Sequence, residues 1–233
     1  MDSKLQTYID KCKQAVFFGG AGTSTESGIP DFRSADGIYS QKSVIPPEKI
    51  LSRSFFESNP EEFFRFYRGK MIYLDAQPNP AHRRLARLEE EGKLIGVITQ
   101  NIDGLHQKAG SRNVIELHGS IFRNHCMRCG TFHTISAITQ STGVPKCACG
   151  GTIKPDVVLY EERLDDRVLE QAVKLLQKAD LLIVGGTSLN VYPAAGLLQH
   201  YGGKDCVVIN MAATGYDEQA SLLIQQPIGT VMA

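Results

Sequence analysis

The sequence carries no surplus of charge. Its 25 Lys and Arg are matched by 25 Asp and Glu, so the formal net charge is +0. That excludes a global field drawing the chain toward nucleic acid or an anionic membrane. No apolar run approaches the roughly 20 residues needed to span a bilayer, and Met1-Asp2-Ser3-Lys4-Leu5-Gln6 holds no secretory hydrophobic segment. Low-complexity tracts, internal repeats and long charged tails are missing as well. With 42% hydrophobic and 21% charged residues among 233, the composition is that of a compact globular protein. Such a chain can build a large core and one small appended module. The expectation is a cytoplasmic monomer with no nucleic-acid or membrane partner.

A complete dinucleotide fingerprint is missing too. Gly20-Ala21-Gly22 supplies the first half of G-x-G-x-x-G, but Thr25 stands where the third glycine belongs. This speaks against an ordinary dehydrogenase. What is present is an apolar stretch, Ala15-Val16-Phe17-Phe18, which reads as a buried strand. It runs into Gly19-Gly20-Ala21-Gly22-Thr23-Ser24-Thr25-Glu26-Ser27-Gly28-Ile29-Pro30-Asp31-Phe32-Arg33. Glycines directly after a strand let backbone N–H groups approach a phosphate, because no Cβ intervenes. Gly28 and Pro30 then stop a helix and leave a loop carrying Asp31, Phe32 and Arg33 over the nucleotide.

Six cysteines occur, and four are grouped as Cys126 with Cys129 and Cys147 with Cys149. Gly130, Gly150 and Gly151 follow the pairs, which places each pair on a tight turn. Four thiolates joined by a short hairpin make the tetrahedral sulfur cage that Zn²⁺ prefers. In a reducing compartment disulfides are the poorer reading. His125 and His133 offer alternative nitrogen ligands. Arg123, Arg128, Lys146 and Lys154 form only a modest basic group, without interleaved aromatics suited to base stacking. A structural staple therefore fits better than a nucleic-acid module, although a zinc-dependent binding module stays open. Cys206, beside Val207-Val208-Ile209, reads as a small buried apolar residue.

Alternating elements predict an α/β fold. Leu5 to Gln14 reads as a short amphipathic helix, and residues 46–91 as mainly helical. Further buried strands are expected at Leu94 to Thr99, Val114 to His118, Leu181 to Val184 and Val207 to Ile209. Apolar strands separated by helices indicate a parallel sheet covered on both faces, whose ligands bind beyond the carboxyl ends of the strands. The polar motifs fall there: Thr99-Gln100-Asn101-Ile102-Asp103-Gly104-Leu105-His106, His118-Gly119, and Gly185-Gly186-Thr187-Ser188-Leu189-Asn190-Val191-Tyr192-Pro193. Each has a bland reading, as helix caps, a structural histidine, and a generic loop. Histidine is nonetheless the side chain suited to proton transfer near neutral pH, and the glycine after His118 leaves space beside its ring.

Taken together, the Gly19–Arg33 run, Gln100 to His106, His118-Gly119 and Gly186 to Ala194 resemble the signatures of the sirtuins, the NAD-dependent protein deacylases. The resemblance extends from Cys12 to Pro227, with the zinc cysteines in the family's place between motifs. It implies a Rossmann-like parallel sheet, built from 1–33, 80–120 and 155–233. A smaller domain is then made of a cofactor loop and helical insertion, 34–79, and a zinc ribbon, 121–154.

The resemblance further implies that NAD is bound by Gly20, Ala21, Gly22, Thr23, Glu26, Asp31, Phe32, Arg33, Gln100, Asn101, Ile102, Asp103, Gly186, Thr187, Ser188, Asn210 and Met211. His118 becomes the general base, with Asn101 assisting catalysis, while His106 and His82 are packing residues. An acyl-lysine peptide would add as a strand between the Lys154 to Glu162 segment, with Val158, Leu159 and Tyr160, and the Leu189 to Tyr192 loop, with Asn190 and Val191. The Val158 backbone would bond the acyl-lysine amide. The products are nicotinamide, lysine and O-acyl-ADP-ribose. Tyr67 and Lys70 resemble a pair that binds acyl carboxylates in desuccinylating relatives, although Lys lacks the bidentate fork of Arg. Tyr160-Glu161-Glu162 replaces the family's Phe-Gly-Glu, adding a negative charge at the peptide groove, and Asn190 replaces an apolar residue. Acetyl removal is the leading expectation, with mono-ADP-ribosylation of protein as the rival use of the same NAD site.

Overall fold

A computed structural model describes residues 1–40 and 44–233. The main sheet is formed by β1 (Ala15–Gly19), β2 (Leu94–Thr99) and β3 (Val114–Glu116) together with three later strands. After β3 come β4 (Gly119–Cys126), β5 (Phe132–His133) and β6 (Ile153–Val157), which pair antiparallel as a separate small sheet in the order β5-β4-β6. The chain then returns to the main sheet as β7 (Leu181–Gly185), β8 (Asp205–Ile209) and β9 (Leu222–Ile224). The order is β3-β2-β1-β7-β8-β9, with every neighbour parallel. The order of winding reverses between β1 and β7, and a doubly wound sheet binds its ligand at that switch point.

The helices are α1 (Ser3–Lys11), α2 (Pro47–Ile50), α3 (Arg53–Ser58), α4 (Pro60–Lys70), α5 (Pro80–Glu90), α6 (Leu105–Ala109), α7 (Ser136–Thr139), α8 (Asp166–Lys178) and α9 (Ile228–Met232). Their starts are written locally. Asp2 caps α1 by accepting from the Lys4 and Leu5 amides. Asn79 and His82 form a reciprocal capping box on α5, with Pro80 in its first turn. Alternate strand residues face opposite sides. Phe17, Ile183 and Val207 pack with α1, α5 and α9, whereas Phe18, Val184, Cys206 and Val208 pack with α8. Among the described residues no helix is long and apolar enough to cross a membrane.

A third apolar cluster joins Phe55, Phe63, Phe64 and Tyr67 of the helical insertion to Ile121, Cys126, Cys147 and Ile153 around the cysteines. The insertion and the cysteine-bearing sheet therefore share one core.

Two details differ from the sequence expectation. After Gly20 the chain forms short 3-10 turns, Ala21–Thr23 and Thr25–Ser27, in place of a continuous helix. The strand β9 was not expected, because it is short and only Ile224 is buried.

Candidate active site

The carboxyl ends of β1, β2, β3 and β7 converge on a cavity of about 460 Å³. Gly20, Ala21 and Gly22 line it from the end of β1, and Gly186, Thr187 and Ser188 from the end of β7. These two loops are in near contact. The Gly22 amide donates to the Gly186 carbonyl at 2.8 Å and the Gly20 amide to the Gly185 carbonyl at 3.3 Å. A Cβ on Gly186, whose φ is +58, would lie 2.2 Å from the Thr23 amide nitrogen. The glycines thus serve backbone-to-backbone packing at the switch point, and two of the amides assigned to phosphate are already committed there.

The floor is a buried polar chain. Ser24 Oγ donates to Asp103 at 2.6 Å, and the Asn101 side-chain amide donates to Ser24 Oγ at 3.1 Å. Burial pushes the Asp103 carboxyl up from its ordinary range, opposed by the Ser24 hydroxyl and the Leu105 amide. Gln100 holds the adjoining wall: its side chain donates to Thr187 Oγ1 at 3.0 Å, and its carbonyl lies 2.9 Å from His118 Nδ1. A carbonyl can only accept, so Nδ1 carries the proton and Nε2 is left as the acceptor. Burial lowers the His118 pKa, and the bond to Gln100 opposes that shift. Gly119 follows with φ +77, and a Cβ there would sit 1.8 Å from the Asp156 carbonyl oxygen. The glycine is therefore needed for packing on β6 as well as for room beside the ring.

Asp31, Phe32, Arg33, Ile102, Asn210 and Met211 also line the cavity, as do Val158, Leu159, Tyr160, Val191 and Lys70. Four expected site residues lie elsewhere. Thr23 is fully buried, donating to the Gly185 carbonyl and accepting from Asn79. Glu26 turns away to accept from the Gly229 amide and Thr230 hydroxyl of α9. Asn190 is exposed, following Leu189 at φ +55. Tyr67 is sealed in the third cluster, stacked on Phe63 with ring centroids 5.5 Å apart. Residues 63 and 67 share one helix face, so the core claims both.

Glu161 does line the cavity, held in place from the helical insertion. Its carboxylate accepts from the Ser54 amide and hydroxyl, both at 2.9 Å. Ser24, Tyr39 and Tyr73 line the cavity without having been singled out. Only Ser24 had a signal, its place inside the glycine-rich run.

The cysteine site lies apart from this cavity. Sγ of Cys126, Cys129, Cys147 and Cys149 all fall within 4.8 Å of one another, with Cys126 to Cys149 at 3.4 Å and Cys129 to Cys147 at 3.7 Å. Tetrahedral zinc with bonds of ~2.3 Å requires edges of ~3.8 Å, so the cage fits. His125 is instead paired with Asp156 at 2.7 Å, and neither it nor His133 belongs to the cluster.

The fold and the site define a dinucleotide-binding α/β protein with a zinc-type cysteine module. The sequence model of the Sir2 family matches residues 20–193, and the chain belongs to that family. An NAD-dependent protein deacetylase of Clostridium perfringens is 57% identical over 99% of this chain and 96% of its own length. A solved Sir2 variant with deacetylated p53 peptide and 3'-O-acetyl ADP ribose superposes with a TM-score of 0.91 at 40% identity, covering 100% of this chain and 96% of that one. A Sir2 complex with p53 peptide and NAD+ gives 0.88 at 40% identity, covering 99% and 95%.

Proposed function

We propose that this protein removes acyl groups, chiefly acetyl, from lysine side chains of proteins, with NAD as co-substrate and nicotinamide and O-acyl-ADP-ribose as products. The observation that carries the proposal is the placing of His118. Its Nδ1–H is fixed on the Gln100 carbonyl, in a cavity whose floor is the Asn101–Ser24–Asp103 chain. When bound, NAD supplies an electrophilic anomeric carbon and nicotinamide as the leaving group. His118 Nε2 accepts a proton from a ribose hydroxyl, and its burial keeps the ring neutral for that task. Asn101 and Asp103 hold the nicotinamide and ribose end. Gly186, Thr187 and Asn210 line the remainder of the cofactor's path. The loop bearing Phe32 and Arg33 lies over it and excludes water.

The acyl-lysine peptide lies along the segment after β6. There the amides of Val158, Leu159 and Tyr160 donate to His118, Glu162 and Leu51 respectively. The Val158 carbonyl accepts none of these bonds and is offered to the acyl-lysine amide N–H. The peptide strand runs between this segment and Val191. With Tyr67 sealed in the core, only Lys70 of the expected carboxylate pair reaches the cavity. A single lysine gives no bidentate clamp, which favours acetyl over succinyl. Four thiolates hold one zinc as a structural staple.

Mass spectrometry of the protein with NAD and acetyl-lysine or succinyl-lysine peptides tests the reading. The expected result is NAD-dependent loss of acetyl, matched by O-acetyl-ADP-ribose, with slower loss of succinyl. An intact peptide with ADP-ribose attached to protein would replace deacylation by ADP-ribosyl transfer.

A further inference from the structure

Two tyrosines meet across the mouth of the cavity. The hydroxyls of Tyr39 and Tyr160, 121 positions apart in sequence, are 2.5 Å apart. Each stands on a separately anchored piece of backbone. Tyr39 belongs to the loop on the cofactor side. Its amide donates to the Phe32 carbonyl at 2.9 Å, its ring packs on Phe32 at 5.3 Å between centroids, and the Arg33 guanidinium lies 5.7 Å from its ring centre. Asp31 closes the same loop by accepting from the Arg33 and Ser34 amides. Phe32 and Tyr39 are therefore packed as one unit.

Tyr160 belongs to the peptide side. Its amide donates to the Leu51 carbonyl and its carbonyl accepts from the Arg53 amide. Glu161 then pins the next residue to Ser54. Glu162 joins Arg53 at 3.0 Å and Lys154 at 3.1 Å. The backbone of Tyr160 is thus fixed, while the residue is 39% exposed and lines the cavity.

We propose that the Tyr39–Tyr160 hydroxyl pair is a latch coupling occupancy of the cofactor side to occupancy of the peptide side. A ligand against Phe32 holds Tyr39 in place, and a peptide against Val158 to Tyr160 holds Tyr160 in place. Whichever binds first bears the cost of ordering the pair, and the second binds more tightly by that amount. Linkage makes the effect reciprocal. The inference rests on the NAD and acyl-lysine reading above, and it makes both tyrosines positioning residues, since neither hydroxyl is assigned a step in the chemistry.

The test is a binding cycle by calorimetry with carba-NAD, which cannot release nicotinamide, and an acetyl-lysine peptide. Each dissociation constant is measured alone and with the other ligand saturating, for the wild type, Tyr39→Phe, Tyr160→Phe and the double variant. One hydrogen bond corresponds to a coupling factor of about fivefold. That factor is expected to disappear in either single variant, equally for both ligands, with no further loss in the double. Tyr39→Phe carries the result by itself if Tyr160→Phe folds poorly. Coupling that persists unchanged in the variants, or is absent from the wild type although both ligands bind, overturns the latch and leaves the functional reading standing. A wild type that binds neither probe overturns both.

Discussion

Ser24 and Asp103 are joined by a 2.6 Å hydrogen bond that ties the 3-10 turns after β1 to the loop after β2. The Asn101 side chain donates to the same hydroxyl, so one small side chain orders two polar groups facing the cavity.

Ser24→Ala removes that centre and leaves a buried carboxyl and a buried amide short of a partner. A hydrogen bond to an ionisable group is worth about 1.5–3 kcal/mol. The kcat/KM for NAD is therefore expected to fall about 10- to 100-fold, while Tm shifts by only a few degrees. Steady-state kinetics with thermal melts check this. Unchanged kinetics would remove Ser24 from the site.

His118 must be neutral to accept a proton. Burial lowers its pKa below the ordinary histidine value of 6.5. The neutral form thus persists on the acid side, and the acidic limb of kcat/KM against pH should lie below pH 6.5. His118→Ala should lower turnover by about 10²- to 10⁴-fold with the fold intact by circular dichroism. A limb above pH 7, or an active alanine variant, would mean another base.

His82 and His106 are buried and lie ring to ring, 4.7 Å between centroids. Burial depresses His82 from 6.5 to about 4, aided by Arg83, and depresses His106 well below 6.5, aided by His82. The folded pKa values lie below the unfolded ones, so the unfolded chain binds more protons in acid. Stability is complete above pH 6.5 and is lost as pH falls toward about 4. At 1.36 kcal/mol per pKa unit, His82 alone accounts for about 3 kcal/mol. His82→Gln keeps an acceptor for the Asn79 amide but cannot titrate. Its denaturation midpoint should depend less steeply on pH over that window than the wild type's.

Removing metal should damage more than the cysteine turns. Cys126 and Cys147 belong to the core cluster that also holds Phe55, Phe63 and Tyr67, and β6 leads from the cysteines to Val158. Chelation is expected to lower Tm and abolish deacylation, although none of the four cysteines lines the cavity. One equivalent of zinc per chain by elemental analysis, and recovery on adding zinc back, complete the check. Full activity in metal-free protein would reduce the cage to a bystander.

The sequence makes the strands of the parallel sheet legible, because continuous apolar runs ending in polar, glycine-rich stretches have few other uses. Gln100, Asn101, Asp103 and His118 were legible for the same reason, each following a strand on the ligand side. Thr23 and Glu26 were not, since their partners Asn79 and Gly229 are remote in sequence. Tyr67 was partly legible: it stands four residues after Phe63, the spacing of one helix face. The Tyr39–Tyr160 contact had no local signal at all.

His118 occupies the seam between two sheets. Leu117 still pairs with β2 through the Thr99 carbonyl, the His118 carbonyl already accepts from Val158 beyond β6, and β4 begins at Gly119. The imidazole is anchored to one body through Gln100 while its backbone is clasped by the other. One residue thus fastens the parallel sheet to the antiparallel one, its ring held by the loop after β2 and its carbonyl by the segment after β6.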